Sequence, residues 1–227
     1  MQAFWPAIKR PVDHMADTAE FHVWGHGTPR TLRVYWALRE HQLPFTRHLV
    51  RTRTEDMDDP AFQRVSPGRK IPAVEHAGLV LTESAAIADY VFRLAGTQAQ
   101  DIRVHATIER WSNFVLMEID ATALYVLRRH QDLPQIYGDA PAACAAAAEY
   151  YDRQMAVIDA YLSDGRDYVS GAAFSKADIF LASCACWADL YEMPVPSNVR
   201  DHFTRMSARP AYELAHDDNF VVDQQSN

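Results

Sequence analysis

The chain is short of several things, and each absence narrows its class. It has three cysteines in 227 residues, Cys144, Cys184 and Cys186. That is too few for a disulfide framework, and an odd count leaves one unpaired. Cys184 and Cys186 stand two apart in a segment that reads as helix, so they face different ways and read as buried structural thiols. The longest apolar run, Ile179 to Ala188, is interrupted by Ser183 and falls far short of the roughly 20 residues a membrane span needs. Near the amino end Lys9 and Arg10 are followed by Asp13, Asp17 and Glu20 with no apolar segment, which is not a secretory signal. Basic charge is also deficient: 22 Lys and Arg against 30 Asp and Glu leave a net charge of −8. Such a surface does not reward nonspecific binding to nucleic acid or anionic membranes. Ten histidines include no His-Glu-x-x-His pair, and His22 and His26 fall on a strand and its loop, so no metal site is expected. Gly25-His26-Gly27 lacks the further glycine of a dinucleotide loop, and there is no phosphate-loop motif. What remains, 48% hydrophobic and 23% charged, is ordinary globular composition. A cytoplasmic protein with small-molecule or protein partners is the expectation.

Apolar spacing then divides the chain. Phe21 to Trp24 is short and β-prone and ends at Gly25. Leu32, Tyr35, Trp36 and Leu38 recur at helical spacing over Arg30 to Glu40, with Pro29 ahead as a helix starter. Leu43-Pro44-Phe45 opens a second extended run, Thr46 to Val50, which completes a βαβ unit. Arg51 to Pro60 is polar and carries no core pattern. Ile71 to Val74 and Leu79 to Leu81 flank His76-Ala77-Gly78 and read as a hairpin. Ala85 to Leu94 follows as a helix, with Gly96 as its stop. Beyond it the strand signals cease. Ile102 to Arg129 is helical through Ile108, Trp111, Val115, Ile119 and Leu127, and Ala140 to Leu162 through Tyr151, Met155, Ile158 and Leu162. Asp178 to Leu190 is apolar nearly all round, as a helix at the centre of a bundle is. The expected organisation is an extension over residues 1–20, an α/β domain over 21–95, an all-α domain over 100–215 and a tail over 216–227.

Four stretches occur in a telling order. They are Gly27-Thr28-Pro29-Arg30-Thr31-Leu32-Arg33-Val34-Tyr35-Trp36-Ala37-Leu38, Ser66-Pro67-Gly68-Arg69-Lys70-Ile71-Pro72-Ala73-Val74, Leu81-Thr82-Glu83-Ser84-Ala85-Ala86-Ile87, and Phe174-Ser175-Lys176-Ala177-Asp178. Together they resemble the cytosolic glutathione transferase family, in particular bacterial-type members with a serine/threonine-type active site. The resemblance implies a thioredoxin-like N-terminal domain (βαβ-ββα) followed by an all-helical domain. It also implies a detoxifying homodimeric transferase with glutathione as co-substrate and no metal, adding the thiolate to a hydrophobic electrophile. A glutathione-dependent lyase, dehalogenase or ether-cleaving enzyme, and a non-catalytic binding module, are the alternatives it leaves open.

Each stretch also has a reading of its own. Ser84 opens a helix after a strand, so its backbone N–H is an unpaired donor that favours an anion. The resemblance gives Glu83 and Ser84 to the γ-glutamyl end of glutathione. Thr82 or Ser84 as a simple cap, with Glu83 offsetting the helix dipole, is the competing reading. At Ile71-Pro72 the resemblance implies a cis bond that presents the Ile71 backbone to the cysteinyl unit as an added strand would, with Lys70 meeting a carboxylate. A thiol of pKa about 8.5 needs only a hydroxyl donating to its sulfur, a bond worth about 1.5–3 kcal/mol or roughly one to two pKa units. Thr28 matches the position of the family's catalytic serine, and Thr31 is the second candidate. Thr28 also reads as an N-cap ahead of Pro29. Ser175 and Asp178 read as a capping box that serves folding. Trp111, Phe114 and Glu118, at helical spacing, are the expected lining of the acceptor pocket, with core or dimer packing as the other explanation.

Overall fold

The computed structural model describes residues 19–171 and 173–221. The extension expected over residues 1–20 falls almost wholly outside them. The first element, β1 (Phe21–Trp24), lies inside a four-stranded sheet of order β2-β1-β3-β4, where β2 is Phe45–His48, β3 is Ala73–His76 and β4 is Leu79–Thr82. β1 runs parallel to β2 in the register Phe21↔Phe45, and antiparallel to β3 in the register Val23↔Val74. β3 and β4 form the expected hairpin, whose turn puts Ala77 and Gly78 at positive φ as a tight two-residue turn requires.

Helix α1 (Pro29–Glu40) is buried along most of its length because it is covered on three sides. It packs on α3 (Ser84–Leu94) and on two helices of the C-terminal half, α8 (Lys176–Leu190) and α10 (Pro210–Phe220). Leu32, Val34, Tyr35, Trp36 and Leu38 are all fully buried, each worth about 1.5–3 kcal/mol of transfer free energy. α8 is buried nearly all round, with Ile179, Phe180, Leu181, Ala182, Cys184 and Ala185 excluded from solvent. Asp178 begins it by accepting from the Ser175 N–H (2.8 Å), the Ser175 hydroxyl (2.9 Å) and the Val169 N–H (2.7 Å).

Three differences from the spacing pattern bear on the site. The polar stretch after β2 holds a short 3₁₀ turn (Glu55–Asp58) and helix α2 (Pro60–Val65), capped by Asp59. α2 buries Phe62 and Val65 against Trp24, Val50 and Ala73, and it is too short to show a helical period. Second, α4 (Ile102–Phe114) continues into π-type turns over Val115–Leu124, a turn of α-helix, α5 (Tyr125–Leu127), and further π-type turns over Arg128–Asp132. There the Thr122 hydroxyl donates to the carbonyl of Met117, five residues back. Third, α10 extends to Phe220, through the residues expected to begin a tail at 216. The helical half is completed by α6 (Pro134–Tyr137), α7 (Pro141–Leu162) and α9 (Ser197–Ser207). Among the described residues no helix is long and apolar enough to cross a membrane. Nor does any group of three or more His, Cys, Asp or Glu stand ready to hold a metal.

Candidate functional site

The site is built from the amino end of α1. Thr28 is its N-cap, with extended backbone (φ −131°, ψ 153°), and Pro29 follows in the first turn. Thr28 Oγ1 accepts from the Thr31 N–H, and Thr31 Oγ1 accepts from the Thr28 N–H, both at 3.1 Å. This is a capping box in which threonine replaces the usual Glu or Gln at the third helical position. The two hydroxyl oxygens are 3.0 Å apart.

Proton counting separates the two threonines. Thr31 is fully buried, and its hydroxyl donates to Oδ1 of Asn219 at 2.5 Å, with the Thr28 carbonyl at 2.8 Å as a second acceptor. Asn219 Oδ1 also accepts from the Gly27 N–H (3.0 Å), while its Nδ2 donates to the Thr28 carbonyl (2.9 Å). An N–H donor on one side and a carbonyl on the other fix the orientation of that amide. Thr31 therefore has its one proton committed inside the protein. The Thr28 hydroxyl accepts from Thr31 N–H, and among the described residues the Thr31 oxygen, 3.0 Å away, is the one acceptor for its proton. Thr28 is half-buried and lines a cleft of about 260 Å³.

On the N-terminal side the same cleft is lined by Arg69, Lys70 and Ile71. The Ile71–Pro72 peptide bond is cis. Ile71 is packed against the turn that leads to Thr28: a Cβ on Gly25, which has φ +112°, would lie 2.5 Å from the Ile71 Cβ, so only glycine fits there. The Gly25 carbonyl accepts from the buried Tyr35 hydroxyl (2.8 Å). The Lys70 backbone is held by buried Ser66, whose hydroxyl donates to the Lys70 carbonyl (2.7 Å) and accepts its N–H (3.1 Å). Neighbouring His26 is buried and held below its ordinary pKa, first by burial and then by the Arg51 charge.

Glu83 and Ser84 stand at the start of α3, outside the cleft lining. The N-cap is Glu83, at φ 68°, and no side chain caps the helix, so the competing reading of Thr82 or Ser84 as a cap is not what the chain adopts. The first N–H groups of α3 have no side-chain acceptor. A non-glycine residue at positive φ costs of order 1–3 kcal/mol and persists where its surroundings impose it.

The expected acceptor lining is corrected. Trp111 is in the core, its ring 4.2 Å from that of Tyr161 and 5.2 Å from that of Phe114. Glu118 accepts from the Tyr150 hydroxyl, and none of Trp111, Phe114 and Glu118 lines the cleft. The C-terminal wall is instead Tyr125, Arg128, Ile136, Tyr137 and Trp187. The π-type turns, whose bonds reach five residues rather than four, shift the phase of the long helix between the two sets. Arg30 completes this wall. Its Nη2 and Nε bond Asp120 (2.5 and 3.3 Å), and its guanidinium lies 4.4 Å from the centre of the Tyr125 ring. Fully buried Arg33 bonds the same carboxylate (2.6 Å) and the Ser183 hydroxyl (2.7 Å). Burial alone would lift the Asp120 carboxyl, but the Arg33 charge and the hydrogen bonds from both arginines hold it below the usual range. An acid inside the apolar run Val115–Leu124 was the available sequence signal for Asp120. Tyr212, Ala215 and Asn219, spaced along one face of α10, were the signal for Asn219.

Residues 28–94 match the family model for the N-terminal domain of glutathione S-transferases. The chain is similar to rat glutathione S-transferase theta-1, 24% identical over 64% of this chain and 63% of that protein, so the match leaves more than a third of the relative uncovered. Among solved structures, a glutathione transferase family member from Pseudomonas fluorescens with two glutathione bound superposes with a TM-score of 0.76. It is 25% identical and covers 88% of this chain and 92% of its own. One from Burkholderia graminis, also with two glutathione molecules per subunit, gives 0.75 at 25% identity over 95% of this chain and 92% of that one.

Proposed function

The chain is a member of the cytosolic glutathione transferase family, and from that premise we propose that it ionises bound glutathione with Thr28 and delivers the thiolate to an electrophile held against the C-terminal wall. One observation carries the reading: of the two threonine hydroxyls at the amino end of α1, only that of Thr28 borders the cleft, and its proton is held by the neighbouring Thr31 oxygen alone among the described residues, a bond that a sulfur anion would outcompete. Lys70 and the Ile71 backbone border the same space, where they meet a glycyl carboxylate and the cysteinyl backbone. The open amino end of α3, with Glu83 beside it, receives the γ-glutamyl carboxylate and ammonium.

In this mechanism the glutathione thiol loses its proton to solvent before attack. Thr28 donates a hydrogen bond to the sulfur anion and keeps its own proton, so no general base is consumed. Such a bond to a charged acceptor, worth about 1.5–3 kcal/mol, lowers the thiol pKa by roughly one to two units. The amino end of α1 adds a few tenths to about 1 kcal/mol in the same direction. The sulfur lone pair then forms the S–C bond, and the leaving group departs with the electrons of the bond that breaks. Proximity in the cleft supplies the rest of the acceleration. The reading takes the protein as a cytoplasmic homodimer; exposed Ile102, Val104 and Met117 are apolar surface that a second copy would cover.

Steady-state conjugation of 1-chloro-2,4-dinitrobenzene tests it. Thr28→Val should lower kcat/KM about 10- to 100-fold at pH 6.5, the equivalent of losing one charge-assisted bond. The deficit should shrink as rising pH ionises the thiol unaided. An unchanged rate in the variant would remove Thr28 from the chemistry.

A further inference from the structure

We propose that the electrophile this cleft takes is an aromatic carboxylate, its ring against Tyr125 and Trp187 and its anion between Arg30 and Arg128, rather than a neutral hydrophobic compound. The proposal rests on the transferase reading and names the substrate class for the same site.

Charge is the first ground. Among the described residues the cleft is lined by Arg30, Arg53, Arg69, Lys70 and Arg128 and by no acidic residue, in a chain whose net charge is −8. Glutathione accounts for part of this. Arg69, Lys70 and Arg53 stand on the N-terminal side, where the glycyl carboxylate lies; Arg69 is paired with Asp58, and Arg53 donates to the Thr52 hydroxyl (3.3 Å). Arg30 and Arg128 stand on the opposite wall and are left over.

Their bonding is the second ground. Arg30 and Arg33 share one carboxylate, that of Asp120, so among the described residues one positive charge in this cluster has no counter-ion. Arg30 uses Nε and Nη2 on Asp120, and among the described residues its Nη1 has no hydrogen-bond acceptor. Arg128 lies 3.7 Å from Asp132, beyond hydrogen-bond distance, while Asp132 accepts from the Tyr191 hydroxyl. A neutral acceptor would cover these guanidinium groups and strip their water without replacing it. A carboxylate replaces it with charge-assisted bonds.

The aromatic faces are the third ground. Arg30 stacks over Tyr125 and lies 6.0 Å from the centre of the Trp187 ring, and Arg129 lies 4.9 Å from the Tyr125 ring and 5.0 Å from that of Tyr137. A flat ring extends this alternation of cations and aromatic faces. In the reaction the thiolate attacks a ring or benzylic carbon, the S–C bond forms, and a halide leaves with its bonding electrons while the carboxylate is unchanged.

Binding of two unreactive probes separates this from the transferase reading. The protein is first saturated with S-methylglutathione, then titrated with 4-nitrobenzoate or 4-nitrobenzamide, which differ by the charge, with tryptophan fluorescence as readout. The benzoate should bind about tenfold or more tighter, the scale of one charge-assisted bond. That preference should fall severalfold between about 50 and about 500 mM NaCl. Arg128→Gln should remove most of it, and Arg128→Lys should keep part. Equal affinity for the two probes, or a preference that survives Arg128→Gln, overturns the proposal and leaves the transferase reading standing. Failure to bind S-methylglutathione itself overturns both.

Discussion

Two helices of this protein, α8 and α1, begin in the same way, and of the two beginnings that of α1 borders a cleft. α8 starts at Ser175 and Asp178, α1 at Thr28 and Thr31, and in each a side chain three residues into the helix closes back on the N-cap backbone. At α8 the device is sealed. Asp178 is fully buried and takes the Ser175 N–H and hydroxyl, the Val169 N–H and Nε2 of buried His202 at 2.9 Å, so every lone pair has a donor. At α1 the inner hydroxyl, Thr31, is equally sealed, but the outer one borders a cleft. The same local sequence logic thus seals a helix end where both partners are buried, and leaves a hydroxyl at the cleft where one of them is not.

Breaking the sealed box should have the largest effect. Asp178→Ala leaves buried donors from Ser175, Val169 and His202 without an acceptor and should destabilise the fold by about 3–5 kcal/mol, read by denaturant unfolding. The glutathione affinity of the fraction that remains folded should be unaltered.

Asn219→Ala sharpens the contrast at the open box. It removes the side-chain acceptor of Thr31 Oγ–H and the donor to the Thr28 carbonyl, at a cost of about 1–3 kcal/mol, while Gly27 N–H keeps the Asn219 backbone carbonyl (2.9 Å). With Asn219 gone the Thr31 proton divides between the Thr28 carbonyl and the Thr28 hydroxyl oxygen; the second arrangement leaves the Thr28 proton to the sulfur and strengthens that bond, so the thiol pKa of bound glutathione should fall. A loss of stability with an unchanged thiol pKa would make Asn219 a staple and nothing more.

The smallest effect is on pH dependence. His26, His41 and His48 are all held below their ordinary value, in each case first by burial. The unfolded chain therefore binds protons before the folded one does, and the stability these groups contribute is complete above about pH 6.5 and is lost as pH falls below it. Asp89 and Asp120 are shifted below the usual carboxylate value, so their contribution persists until much lower pH. Melting temperature should accordingly decline by a few degrees from pH 7.5 to pH 5.5, and His41→Gln should reduce that decline.

What the sequence disclosed follows the range of the contacts involved. β1, α1, the hairpin and Thr28 as an N-cap ahead of Pro29 are written in residues a few positions apart, and spacing finds them; the reciprocal bond of Thr31, in place of the usual Glu or Gln, does not show in the pattern. The fully buried α8 is equally plain, because an all-round apolar helix leaves no polar face to misread. Asn219 meets Thr28 and Thr31 across 191 and 188 positions, so the spacing that puts it on the buried face of α10 with Tyr212 and Ala215 does not say what it bonds there. The cleft wall was misplaced for a different reason. Trp111, Phe114 and Glu118 fit a 3.6-residue period, but the π-type turns that follow break that period before Tyr125 and Arg128. α2 escaped notice because six residues are too few to show any period.

The central claim is that Thr28 stabilises the glutathione thiolate, and the most direct measurement is a pH titration of thiolate ultraviolet absorbance with glutathione bound to the wild type and to Thr28→Val. The account predicts a wild-type pKa roughly one to two units below the ordinary value of about 8.5, and a return to near that value in the variant. An equal pKa in the two proteins, at saturating glutathione, would contradict it.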